Sequence, residues 1–170
     1  MIAILGAALL LAPMAPAQST EFYSDGENFV YRETQSCAWY VDQPEDAMLR
    51  LSYRNYSGEV FFAAVGGPWN VIEVGEMRMV SISTDKTGLT RHAFITEGFI
   101  QPGDDNRRGL AGQQGEELLS LLRSAQAVTI FLDNGPQATY QLTGMDVAMD
   151  KLKTCSRTYF NTAPAIGLLK

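Results

Sequence analysis

The chain holds two cysteines, Cys37 and Cys155, one near each end of its 170 residues. In an oxidising compartment such a pair closes almost the whole fold into one covalent loop, whereas inside a reducing cell it stays as two thiols. The compartment therefore decides what the chain can become. Met1 to Ala17 contains no charged side chain, sets Ile4, Leu5, Leu9, Leu10 and Leu11 among alanines, and ends in Ala15-Pro16-Ala17. That run is short for a bilayer span and closes on the small-x-small pattern that signal peptidase reads. Residues 1–17 read as a signal peptide and 18–170 as a single β-rich domain of the periplasm or the cell exterior. The competing reading, a buried apolar helix, is disfavoured because nothing polar interrupts the run. No Lys or Arg precedes it, which leaves room for a start upstream of Met1. No second apolar span long enough for a membrane follows, so no integral membrane anchor is expected after cleavage.

Export makes an even cysteine count a disulfide, Cys37 to Cys155, that clips the two ends of the domain together. In the simplest chain-entropy picture a loop of that length is worth about 4 to 5 kcal/mol. The same count argues against zinc, which wants four ligands where the chain offers two cysteines and His92. A catalytic Cys37/His92 pair is disfavoured because paired cysteines of exported proteins are usually oxidised. The hydrophobic fraction of 46% and charged fraction of 19% allow a sizeable core. A formal net charge of -6 repels phosphate backbones, so nucleic acid is not an expected partner.

From Gln18 to about Ile100 short strand-like runs alternate with turn residues, the texture of antiparallel β structure. Cys37, Trp39 and Val41 fall on one face of an alternating segment, and Leu49, Leu51 and Tyr53 on one face of the next. Val60-Phe61-Phe62-Ala63-Ala64-Val65 is apolar on both faces, as in a central strand, and Gly66-Gly67-Pro68 stops it. Glu76 to Thr84 has its apolar residues in mixed phase, which predicts a bulge or burial on both sides. Gln101 to Gln114 is the longest polar stretch and reads as a loop.

Two helices interrupt this pattern. One runs from Glu116 with Leu118, Leu121, Leu122 and Ala125 as its buried stripe. The other starts at Thr143 as N-cap, with Asp146 reaching back, and turns Met145, Ala148, Met149, Leu152 and Cys155 to the core. Cys155 lies in the last turn of that helix, and the tail beyond Ser156 is expected to be partly loose. Between the helices, Val128 to Leu132 and Ala138 to Leu142 form a hairpin. The fold class is mainly β (α+β): an antiparallel sandwich or open barrel with two short helices on one side and one disulfide.

The closing pattern Leu142-Thr143-Gly144 followed by Ala148, Leu152 and Cys155, after an alternating strand and with Cys37 on an earlier strand, resembles the small exported proteins of the invasion-associated locus B type. Those are secreted or periplasmic proteins of alphaproteobacteria. The resemblance implies an exported, mainly β domain without an established catalytic mechanism, in some members linked to host-cell interaction. It carries over no site residues, because the matching positions are structural ones.

The residues themselves offer little chemistry. There is no Gly-x-Ser-x-Gly elbow, His-Glu-x-x-His, phosphate loop or dinucleotide fingerprint, and no catalytic residue or cofactor is assigned. Glu97, Glu116 and Glu117 are the carboxylates a glycosidase would have to draw on, without a pattern that pairs them. Asp104, Asp105 and Asn106 lack the alternating spacing of a calcium loop and stand beside Arg107 and Arg108, so they read as a solvated loop and no metal is assigned. Met77 and Met79 share a strand face and, with Met145, Met149 or His92, would make a soft Cu(I) site; against this, methionine is a common core filler. The remaining class is binding to an unidentified protein partner, with Trp69, Asp104, Asp105, Arg107 and Arg108 as the expected contacts. Tyr53, Tyr56 and Phe61 are further aromatic candidates, and Trp69 is the one whose loop context favours exposure. A variant of the same class is a secreted enzyme inhibitor presenting the Gln101 to Gln114 loop.

Overall fold

The computed structural model describes residues 19–44, 47–54, 57–86, 92–100, 107–123 and 125–161. The signal-peptide segment 1–17, Tyr56, Asp104, Asp105, Asn106 and the final residues 162–170 lie outside the described residues.

The described residues contain ten strands: β1 Thr20–Ser24, β2 Asn28–Arg32, β3 Ser36–Asp42, β4 Met48–Arg54, β5 Glu59–Val65, β6 Met77–Thr84, β7 His92–Ile100, β8 Arg108–Gln114, β9 Ala127–Leu132 and β10 Gln137–Gln141. They form one antiparallel sheet in the order β1-β2-β3-β4-β5-β8-β7-β6-β9-β10. Period-two alternation turns one face of nearly every strand inward, so that Trp39, Leu51, Phe62, Leu110, Val80 and Ile130 meet in a single core. The sheet curls on itself. Just past β3, the Gln43 amide donates to the Gln141 carbonyl at 3.0 Å and accepts from the Gln141 N–H at 2.8 Å, in the place a strand neighbouring β10 would occupy. Of the two architectures expected, the single curled sheet is the open barrel rather than the sandwich.

The chain crosses the barrel twice. After β5, Gly66 and Gly67 take positive φ and Pro68 opens a 3-10 turn, Gly67–Val71, that leads to β6 three places away in the sheet. After β8, α1 (Glu117–Arg123) carries the chain back to β9. The 16-residue α2 (Met145–Phe160) then packs against β1, β2, β3 and α1. Its buried side is Met145, Ala148, Met149, Leu152, Cys155 and Ser156. Cys155 is bonded to Cys37 of β3 with a Cα–Cα distance of 6.1 Å, and both are fully buried.

Several expectations are corrected. β8 occupies the second half of the stretch read as a loop, because Arg108–Gln114 is hydrogen-bonded between β5 and β7 despite its polar composition. β6 is neither bulged nor buried on both sides: Val80, Ile82 and Thr84 point inward, with the register unbroken from Met77 to Ile82 against β7 and from Val80 to Thr84 against β9, while Met77 and Met79 are outward and exposed. In α1 the buried residues are Leu118, Leu119, Ser120 and Leu122, with Leu121 only half-buried. α2 is longer than a short helix and runs five residues past Cys155, so Tyr159 and Phe160 belong to it rather than to a loose tail. Its N-cap is Gly144 in the left-handed conformation, not Thr143. The reason is tertiary: the Thr143 carbonyl accepts from Asn28 Nδ2 at 2.8 Å, and a side chain at Gly144 would stand 3.0 Å from that nitrogen.

Candidate functional site

The outer face of the barrel carries two distinct features. On β2 to β5 lies a polar cluster built around Glu33. Its carboxylate accepts from Arg50 Nη2 at 2.7 and 2.8 Å, from Tyr40 Oη at 2.7 Å and from Ser36 Oγ at 2.5 Å, while Arg50 Nε donates to Tyr40 Oη at 2.8 Å. Strand pairing places Tyr40 directly across from Arg50, and the turn after β2 folds Glu33 over both. Burial pushes the Glu33 carboxyl up, but the Arg50 charge and the hydrogen bonds from Arg50, Ser36 and Tyr40 outweigh it and hold the group below its ordinary value. Tyr40 is pushed up to about 12, first by burial and then by the Glu33 charge, against the opposing pull of Arg50. Tyr31 stands edge-on to Tyr40, and the Arg50 guanidinium lies 5.6 Å from the Phe61 ring centroid. Every polar atom of the Glu33 carboxylate is engaged, which makes this a brace between strands rather than a poised acid or base.

The second feature is apolar. On the outer face of β6 and β7, Met79 pairs across the strands with Ile95, and Met77 with Glu97. Met77, Met79 and Ile95 are 61%, 54% and 56% exposed. Val71 and Val74, in the segment entering β6, are exposed as well, as is Ile100 at the end of β7. Six of the eight large hydrophobic side chains exposed among the described residues therefore belong to this one stretch of chain and its pairing strand. Carboxylates border it: Glu97 across from Met77, Glu73, Glu76, and Asp133, whose N–H donates to the Met79 carbonyl at 3.1 Å. Glu76 is ion-paired with Arg78 at 2.6 Å, and Glu73 lies 3.9 Å from Arg108.

The expected site residues are dispersed or consumed. Trp69 is fully buried, a correction to its expected exposure: the 3-10 turn drives the indole into the barrel, where Nε1 donates to Tyr140 Oη at 2.7 Å. Tyr140, 71 residues away, is in turn pushed up to about 12 by burial. Arg108 is a strand residue that ties two segments together, donating to the Ile72 carbonyl at 2.8 Å. Arg107 is half-buried at the entrance to β8, and Asp104 and Asp105 lie outside the described residues. The soft-metal set is not assembled either. Met145 and Met149 are buried in the core, and His92 pairs across from Ile82, near the opposite end of β6 from Met77, with its Nε2 3.0 Å from Gln114 Oε1. Tyr53 is buried and Phe61 half-buried. The Met77–Met79–Ile95 face was missed as a surface because mixed phase in a strand reads as extra burial. The hint in the sequence was that the phase of Met77 and Met79 continues as Ser81 and Ser83, the polar residues of an outward face.

A cleft of about 660 Å³ opens between the end of α1 and the start of α2, lined in part by Arg123, Gln126, Gln141, Thr143 and Asp146. Arg123 is ion-paired there with Asp150 at 2.8 Å. No cluster of three or more His, Cys, Asp or Glu suited to a metal ion occurs among the described residues.

No family model and no curated protein matches the sequence. The structure is similar to the crystal structure of invasion associated protein B from Bartonella henselae, with a TM-score of 0.58 and 14% sequence identity over 82% of this chain and 99% of that one. The resemblance first visible around Cys155 thus extends to the fold: this chain shares the architecture of invasion associated protein B.

Proposed function

We propose that this chain is an exported binding domain, without a reaction of its own, that engages a protein partner through the outer face of β6 and β7. The observation that carries the reading is the cluster of exposed Met77, Met79 and Ile95. Contiguous exposed apolar surface of this kind marks interaction sites, and methionine suits it because its flexible thioether adapts to a partner. Three features support export: the apolar run ending in Ala15-Pro16-Ala17, the Cys37–Cys155 disulfide, and the fold shared with an invasion associated protein. The reading without a reaction is supported by the most buried polar groups with displaced titration: Glu33, Tyr40, Arg50 and Tyr140 spend their hydrogen bonds tying strands to one another and to turns.

Affinity capture with the oxidised protein from extracts of its own source tests the binding reading. A stoichiometric partner retained by the wild type and lost by the Met79→Ser/Ile95→Ser variant is the expected result. A retained set identical for both proteins overturns the proposed face. Export is tested on the expressed full chain: the processed product is expected outside the cytoplasm, beginning at Gln18, and an unprocessed cytoplasmic chain with free thiols overturns it.

A further inference from the structure

The chemistry of the partner follows from what borders the apolar face, provided that face is the docking surface just described. Among the described residues no cation stands within ion-pair distance of Glu97 or Asp133, and both are exposed. Glu97 is directly across from Met77, and Asp133 is joined through its N–H to the carbonyl of Met79, so unneutralised carboxylates flank the thioethers on two sides. Glu73, at the entrance to β6, is 82% exposed but already stands 3.9 Å from Arg108, so it is not one of the unneutralised carboxylates. Carboxylates at the rim of an apolar patch favour cations in the same register and penalise anions.

We propose that the Met77–Met79–Ile95 face docks a cationic amphipathic segment of a partner protein, with apolar side chains over the methionines and Ile95, and Lys or Arg beside Glu97 and Asp133. A second copy of this chain is disfavoured as the occupant. A two-fold contact on this face would set Glu97 and Asp133 of one copy near those of the other, between molecules that each carry a net charge of -6. An anionic membrane surface is opposed by the same charges.

The probe is a labelled amphipathic peptide of Lys and Leu at helical spacing, compared with the same peptide carrying Glu in place of Lys, each titrated with the oxidised protein. The Lys peptide is expected to bind at least tenfold tighter than the Glu peptide. Met79→Ser with Ile95→Ser is expected to weaken it by about tenfold, the loss of roughly one well-buried apolar side chain. Glu97→Gln with Asp133→Asn should weaken it severalfold and flatten its salt dependence. All four positions are exposed, so unchanged thermal midpoints will show that the variants fold. Equal binding of the two peptides, or binding of the Lys peptide indifferent to both variant pairs, overturns the proposal. So does a dimer in sedimentation that Met79→Ser/Ile95→Ser dissolves, or retention on anionic vesicles through the same residues. If partner capture depends on Met79 and Ile95 while neither peptide does, the docking face stands and its cationic selectivity falls.

Discussion

Tyr140 shows how a single residue can hold a barrel crossing in place. Its hydroxyl lies in the interior, and the indole of Trp69, on a turn that arrives from β5, donates to it at 2.7 Å. Removing the hydroxyl leaves a buried N–H without an acceptor, so Tyr140→Phe should lose about 1–3 kcal/mol in urea unfolding. The loss should shrink when Trp69 is already Phe, because the two changes act on one bond. An additive pair would show that the bond contributes nothing. Glu33 carries the clearest pH signature. Its folded carboxyl titrates below the ordinary value of 4.5, so the unfolded chain binds more protons between the two values. The stabilisation is therefore complete above the ordinary value and is lost as the pH falls through the folded one. Glu33→Gln should flatten that acid limb of the urea midpoint against pH, and an unchanged slope would place the dependence elsewhere. Neither residue was singled out from sequence, since each matters through partners on other strands or turns.

At the scale of elements, the strands and the core face of α2 were legible and the crossings were not. Alternation placed Cys37, Trp39 and Val41 on one face of β3, and helical spacing turned Met145, Ala148, Met149, Leu152 and Cys155 inward. Polar composition misled at β8, whose backbone satisfies itself against β5 and β7 whatever its side chains are. The start of α2 depends on a contact that local capping rules do not contain. Gly144 has φ of 74°, and its missing Cβ leaves space for Asn28, which links the Thr143 carbonyl to the Trp39 indole. Gly144→Ala adds left-handed strain and crowds Asn28, an expected loss of about 1–2 kcal/mol in thermal or urea unfolding. A neutral Gly144→Ala would mean that the helix start adjusts freely.

For the whole molecule, the disulfide joins β3 to the helix that covers β1 to β3, enclosing 118 residues of sequence separation. Cys155→Ser should lower stability by about 2–5 kcal/mol relative to the oxidised wild type. Equal thermal midpoints for the two proteins would remove the disulfide as a staple. The Met79 and Ile95 variants, exposed on the far side of the sheet from the core, should leave that midpoint where it is. The sequence by itself determined what depends on short-range periodicity and on chemistry that tolerates distance. These are the strand alternation, the inward face of α2, the hairpin of β9 and β10, and the pairing of the two cysteines. Only the tertiary structure decided which side of a strand is covered and which turn reaches the interior. Trp69 is buried because Tyr140 lies across the barrel, Arg108 is spent on the Ile72 carbonyl, and Met77 and Met79 are exposed because no element of the described chain lies over β6 and β7. Burial is set by neighbours far away in sequence, and a local pattern records only that a face is apolar, not whether the fold covers it.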